Sequence, residues 1–308
     1  MALTAGFVAL STISAPPAHA ASSPEALAVR QVVPGIFVHR GLHEEATPGN
    51  VGGIANIGFI VGRDSVGVID TGGSFQEGQA LLAAIRRITD LPIRYVINTH
   101  FHPDHVLGNA AFVGQATEFV AHERLPRALA ARGNSYLRHL NEALGVAAEG
   151  TRIVQPEHLI VKQQTIDLGG RQLLLTAYPP AHTDADLTVL DLETRTLFAG
   201  DLVFLERIPV VDGSILGWLK VIGQLKGIEA DRVVPGHGPP VADWPSAILD
   251  EERYLDLIVH RTREILSSGG SLEQAVRQAG TEERARWLLF DDYNARNVAA
   301  AYTELEWE

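Results

Sequence analysis

The sequence contains no cysteine. That excludes a disulfide framework, a thiolate nucleophile and any sulfur ligand, so a bound metal has to be held by histidine and carboxylate side chains. Basic charge is also in short supply: Lys and Arg total 25 against 37 Asp and Glu, a formal net charge of −12. No run of Lys or Arg offsets it, and nucleic acid or anionic lipid is not expected as a partner. Past the N-terminus no segment reaches the roughly 18 uncharged apolar residues that a membrane span needs, so the mature chain is expected not to insert into a bilayer. What remains is a chain of 308 residues, 46% apolar and 20% charged, with 29 Gly and 16 Pro. Such a composition buries a large core with many turns and suits one enzyme-sized unit acting on a small-molecule substrate.

The N-terminus carries an apolar stretch from Ala5 to Ile13, then Pro16 and Pro17, then Ala18-His19-Ala20. This reads as a secretory signal with an A-x-A site cleaved after Ala20, leaving 21–308 as the mature domain in the periplasm or outside the cell. Met1 to Thr4 lacks the usual Lys or Arg, and a disordered tail is the alternative.

From about Val32, short apolar runs ending in Gly, Asp or Asn read as strands: Gly35 to Val38, Ile57 to Val61, Val66 to Ile69 and Ile93 to Ile97. Leu81, Leu82, Ile85 and Ile88 recur at helical spacing and predict a helix over Gln76 to Ile88. A long helix is expected over Glu123 to Leu144. Strands follow at His158 to Val161, Arg171 to Ala177, Leu187 to Leu190 and Thr196 to Phe198, and helices at Ser246 to Leu266 and Leu272 to Gln278 in a helical C-terminal part, 245–308. The two halves share a plan. Two facing sheets with helices outside, a four-layer αββα sandwich of the α/β class with a helical C-terminal extension, satisfy the layer rule.

The strongest chemical signal is Thr99-His100-Phe101-His102-Pro103-Asp104-His105, directly after the apolar strand Ile93 to Ile97. Residues i and i+2 of an extended segment point the same way, and Pro103 keeps His102 out of the helical region, so His100 and His102 can grip one ion together. Pro103 can then open a helix, swinging Asp104 and His105 toward a second ion a few Å away. A catalytic metal also needs ligands from elsewhere in the chain. His182 in Pro179-Pro180-Ala181-His182-Thr183-Asp184, Asp201 at the end of Leu197-Phe198-Ala199-Gly200-Asp201, and His237 in Val234-Pro235-Gly236-His237-Gly238 each follow a short apolar strand and are expected in turns.

In that order these residues resemble the metallo-β-lactamase superfamily, whose His-x-His-x-Asp-His, His, Asp and His positions are all filled between Val32 and about Pro240. The resemblance implies that His100, His102 and His182 bind one zinc, that Asp104, His105 and His237 bind the other, and that Asp201 bridges both. Asp70, in Val68-Ile69-Asp70-Thr71-Gly72, matches the family's acidic residue behind the metal loop and is expected to support it. Arg207 to Ser214, Gly217-Trp218 and Asn297 to Tyr302 look like the exported metallohydrolases named for quinoprotein relay systems.

Two cations sharing a water would lower its pKa toward neutrality. The implied activity is therefore hydrolysis of an ester, thioester, lactone or related carbonyl by a bridging hydroxide on a dinuclear zinc site, with Asp104 as the catalytic residue that orients the hydroxide or handles its proton. Iron or manganese suits the same donors. β-Lactamase activity is the first alternative, but dedicated β-lactamases of this fold usually carry Cys or Ser where Asp201 stands, and Asp201 looks more like glyoxalase II and lactonases. A mono-iron, persulfide dioxygenase-like oxidoreductase and a non-catalytic partner of a periplasmic quinoprotein dehydrogenase are the others. The Gly-rich loop His43 to Asn56 is a candidate flap, and Arg207, Asp212 and Trp218 are candidate substrate-binding residues. His39, His43, His122, His139, His158 and His260 lack ligand spacing and are expected to be ordinary exposed or core histidines, and His19 to leave with the signal.

Overall fold

The computed structural model describes residues 25–308, and the expected signal segment with its cleavage point after Ala20 lies outside the described residues. Seven strands form the first sheet in chain order: β1 (Arg30–Val33), β2 (Ile36–His39), β3 (Ile57–Val61), β4 (Val66–Ile69), β5 (Ile93–Ile97), β6 (Ala116–His122) and β7 (His158–Ile160). Pairing is antiparallel through β4 and parallel from β4 to β7. The second sheet has six strands: β8 (Gln163–Asp167), β9 (Gln172–Ala177), β10 (Leu187–Asp191), β11 (Thr196–Phe204), β12 (Arg232–His237) and β13 (Ala242–Asp243). They lie in the order β13-β12-β11-β10-β9-β8, with only β11 and β12 parallel.

Side-chain alternation sorts each strand onto two faces. Ile60, Ile69, Tyr95, Ile97 and Val120 of the first sheet meet Leu173, Leu175, Leu187, Val189, Phe198 and Val234 of the second in one core between them. The opposite faces are closed by helices. Ile57, Phe59, Val66, Val68 and Val96 pack on Leu81 and Ile85 of α1 (Phe75–Ile88), whose start is capped by Ser74 Oγ accepting from Glu77 N at 3.2 Å. Phe101, Val106 of the short α2 (Pro103–Val106) and Ala121 pack on Leu125, Leu129 and Leu140 of α3 (Leu125–Leu144). Leu197, Ala199 and Val233 are covered by α4 (Ile215–Leu225), α5 (Leu249–Ser267), α6 (Leu272–Gln278) and α7 (Phe290–Leu305). The fold is thus an αββα sandwich with a helical C-terminal region. Among the described residues no helix is long and apolar enough to cross a membrane.

Strands β3, β4, β5 and helix α6 have the bounds expected from the sequence. The strand expected over Thr196 to Phe198 runs on to Phe204, because Gly200, at φ +53, shifts the register against β12 and bends the strand without ending it. Asp201 therefore sits inside a strand, and His237 is the last residue of one, where turns were expected. Periodicity overlooked α4 and α7. Asn294 and Asn297 occupy buried positions of α7 and break its apolar stripe; Asn297 is satisfied by accepting from Val211 N at 2.9 Å and donating to the Pro209 carbonyl at 2.6 Å. Strand β8 was missed because, as the edge of its sheet, it is mostly exposed and polar.

Candidate metal centre

The loop after β5, the turn after β9, the middle of β11 and the last residue of β12 bring the expected ligands to one place. His102 is extended, at φ −66 and ψ 150, and caps α2, where Pro103 takes the first turn. His100 and His102 leave β5 on one side and lie with His182 and Asp201 so that one ligand atom of each falls within 4.8 Å of the others. Asp104, His105 and His237 form a second group by the same measure. Asp201 stands between the groups. Its Oδ2 is 3.7 Å from His100 Nε2, 3.5 Å from His182 Nε2 and 3.4 Å from His237 Nε2, while Oδ1 is 3.1 Å from His105 Nε2. This close approach depends on glycine. A Cβ on Gly200 would lie 2.5 Å from Thr99 Oγ1, and one on Gly236 would overlap Asp201 Oδ1.

Each imidazole is gripped from outside. His105 Nδ1 donates to Asp70 Oδ2 at 2.8 Å, His182 Nδ1 to the Val210 carbonyl at 2.7 Å, and His237 Nδ1 to the Ile54 carbonyl at 2.8 Å. His100 Nδ1 lies 3.1 Å from Thr99 Oγ1, whose proton is given to Asp70 Oδ2 at 2.7 Å, so the ring donates. His102 is reversed: Nε2 donates to Asp212 Oδ2 at 3.0 Å, and Nδ1 faces His182 Nε2 at 3.0 Å. Because carbonyls and carboxylates only accept, these contacts favour a proton on the outer nitrogen and, whenever a ring is neutral, leave the lone pair on its inner one. Asp70 holds this shell at φ +55, a strained backbone position, with Oδ1 also accepting from Thr99 N at 2.8 Å.

Three of the inner atoms have no other use. His100 Nε2, His105 Nε2 and Asp201 Oδ1 are buried and make no hydrogen bond. His105 Nε2 and Asp201 Oδ1 are within ion-pair range but not in hydrogen-bond alignment. Buried polar atoms left this way are costly unless a cation satisfies them. The nitrogen and carboxylate donors fit a divalent transition metal. Burial drives His182 down to about 3 and, with His105 close by, His100 well below its ordinary range, so both rings stand in the neutral, ligating form. Burial would lower His105 too, but Asp201, Asp104 and Asp70 around it outweigh that and hold it well above. Burial would raise Asp104 and Asp201; the facing His105 and His237 hold both well below the carboxylate range.

The centre opens into a cavity of about 410 Å³. His102 and Asp104 form its floor, with Glu45, Ala46, Gly52 and Ile54 on one wall, Tyr136, His139, Leu140 and Ala143 of α3 on another, and Tyr293 and Arg296 of α7 at the side. The loop His43 to Asn56 thus lines the cavity. It is pinned by Asn50 Oδ1, which accepts from Thr47 N at 2.8 Å and Gly52 N at 3.0 Å, and by Asn56 Nδ2 donating to the Pro235 carbonyl at 2.9 Å.

None of the three substrate-binding candidates lines this cavity. Trp218 is fully buried behind His182, their ring centroids 5.2 Å apart, with Nε1 donating to the Leu202 carbonyl. Arg207 is buried beneath Tyr293, donating to its hydroxyl at 3.2 Å. Asp212 is engaged by His102 and by Arg132 of α3. Sequence reading missed the α3 and α7 wall residues: Tyr136, Leu140 and Ala143 have the helical spacing of an ordinary core stripe, and His139, set aside as an ordinary histidine, is at the cavity. It also missed Glu77, buried with Oε2 accepting from Gly73 N at 2.7 Å and Oε1 without a partner; burial pushes its carboxyl up to about 8. His39, His43, His122, His158 and His260 make ordinary hydrogen bonds or ion pairs away from the ligand groups.

Residues 50–237, more than half of the chain, match the family model described as the metallo-beta-lactamase superfamily. The chain belongs to that superfamily. Among its relatives are the linear primary-alkylsulfatase of a Pseudomonas species, 26% identical over 211 residues covering 57% of this chain and 40% of that one, and the acyl-coenzyme A thioesterase MBLAC2 of Homo sapiens, 29% identical over 219 residues covering 60% and 74%. The chain spans less than half the length of the alkylsulfatase it matches. Among solved structures, the stereoselective inverting sec-alkylsulfatase Pisa1 from Pseudomonas sp. superposes with a TM-score of 0.69 at 16% identity, over 91% of this chain and 50% of that one.

Proposed function

We propose that the protein is a hydrolase that cleaves an ester, thioester, lactone or related carbonyl compound at a two-zinc centre. His100, His102 and His182 would hold one ion and Asp104, His105 and His237 the other, with Asp201 within reach of both groups. The single observation behind this reading is that five imidazoles turn their inner nitrogens toward the carboxylates of Asp104 and Asp201, with His102 and Asp104 reaching the floor of a cavity. Bound there, a pair of divalent cations supplies a water acidified to near neutrality and positive charge for a developing oxyanion.

The protein's own residues do the rest. Asp104 lines the cavity and stays ionised, so it can orient the attacking water and accept its proton. Ile54, Leu140 and Ala143 offer an apolar wall to the substrate's hydrocarbon part, and Tyr293, Arg296 and His139 offer polar contacts beyond it. The thioesterase relative supports a carbonyl substrate. A second reading, cleavage of a sulfate ester, is favoured by the alkylsulfatase relative.

Elemental analysis joined to a hydrolysis panel tests both. Two zinc per chain with turnover of acyl thioesters, esters or lactones is the expected result, and turnover of alkyl sulfates alone would select the second reading. A single iron with oxygen uptake, or no turnover of any substrate in metal-loaded protein, would overturn the hydrolase assignment.

A further inference from the structure

Four of the five site histidines are held from outside by groups that are buried or belong to the backbone: Asp70, Thr99 and the carbonyls of Val210 and Ile54. His102 alone is held by an ion pair that reaches solvent. The side chain of Asp212 is 30% exposed and that of its partner Arg132 44% exposed. His102 is also the one ring of the five that turns Nδ1 inward. The second follows from the contact in the first: the Asp212 carboxylate accepts a hydrogen bond from Nε2, and a neutral imidazole has only one N–H to give.

We infer that Asp212, steadied by Arg132, is a positioning residue that selects the coordinating nitrogen of His102 and thereby sets cation affinity at the three-histidine position but not at the Asp104–His105–His237 position. This rests on the metal-centre reading above. Without Asp212, the His102 ring is free to protonate at Nδ1, which removes the lone pair that points at His182, or to turn about its side-chain bonds. Either change disarms one ligand of three. Arg132 adds a second function. Its guanidinium lies 5.1 Å above the ring of Phe101, the residue between the two loop histidines, so helix α3 holds the loop beside His102 as well as the Asp212 carboxylate. The acceptors behind His105 and His237 lie in other contacts and do not depend on this pair.

The test is stepwise zinc affinity by chelator competition in the full-length protein and in Asp212→Ala, Asp212→Asn and Arg132→Gln. Wild type is expected to take up two ions. Asp212→Ala should weaken one of the two by about 10–100-fold and leave the other unchanged. Asp212→Asn keeps an oxygen that can accept from Nε2 and should recover much of the loss, and Arg132→Gln should fall between it and wild type. Imidazole nitrogen NMR of metal-free protein gives a readout independent of catalysis: His102 protonated at Nε2 in wild type and in mixed tautomers in Asp212→Ala. Two ions held by Asp212→Ala as tightly as by wild type, or an equal loss at both positions, would overturn the inference. Wild-type protein that binds no zinc would instead overturn the metal-centre reading itself. If Asp212→Ala does not fold, the Arg132→Gln and Asp212→Asn affinities decide alone.

Discussion

Asp70 and His105 are joined by a 2.8 Å hydrogen bond from Nδ1 to Oδ2, and the same carboxylate binds Thr99 through both its backbone N–H and its hydroxyl. One buried side chain thus fixes the ends of the loop that carries four candidate ligands. Replacing it by alanine strands three donors at once. Asp70→Ala is expected to cost about 3 kcal/mol of unfolding free energy, read as a lowered urea midpoint, and to reduce zinc content in the protein that remains folded. An unchanged midpoint would contradict the role assigned to this carboxylate.

His182 needs no solvent-reaching partner, since its Nδ1 is fixed by the Val210 carbonyl and its ring by Trp218. Truncation to alanine removes an inner donor outright. His182→Ala should therefore lose more turnover than the roughly 10–100-fold typical of an outer hydrogen-bond partner, with bound zinc falling from two ions toward one by elemental analysis. A variant with full zinc content and normal kcat/KM would count against the ligand set.

Glu77 supplies a pH signature. Its carboxyl ordinarily titrates at 4.5 and in the fold at about 8, because burial penalises the charge. Between those values the unfolded chain releases this proton and the folded chain keeps it, so the group's contribution is complete below about pH 4.5 and fades as pH rises to about 8. A single such group changes stability by at most about 1.4 kcal/mol per pH unit. Glu77→Gln retains an acceptor for Gly73 N, and its unfolding free energy should decline less than wild type's from pH 5 to about pH 8. Parallel profiles would show that Glu77 is ionised in the fold.

Gly200 is at φ +53 with Thr99 Oγ1 where a Cβ would point. Gly200→Ala pays backbone strain of about 1–3 kcal/mol and pushes Thr99 off Asp70. We expect a lower Tm together with weakened zinc binding, measured by differential scanning fluorimetry with and without added zinc. A wild-type Tm and wild-type affinity would show that the strand bend tolerates a side chain.

The residues from His100 to His105 were legible because their spacing is local and their position after an apolar strand is visible in the same dozen residues. Asp201 and His237 were legible as residue types in order, but not as strand residues, because the bulge at Gly200 is a pairing property that only the neighbouring β12 reveals. The sandwich was legible from short apolar runs ending in turn residues, whereas α7 was hidden by two asparagines whose partners, Pro209, Val211, Ala279 and Tyr254, lie outside the helix. The choice of imidazole tautomer was illegible for a deeper reason. Val210 and Ile54 act through carbonyl oxygens, which any residue would provide, so side-chain identity carries no trace of it.

The seven donors are divided between the sheets: His100, His102, Asp104 and His105 follow a strand of the first, while His182, Asp201 and His237 come from the second. A cation held by both contingents is a rivet through the seam of the sandwich. Stripping it should let the two slabs part more readily than either slab frays, and amide exchange should quicken first along the facing strands β5 and β11.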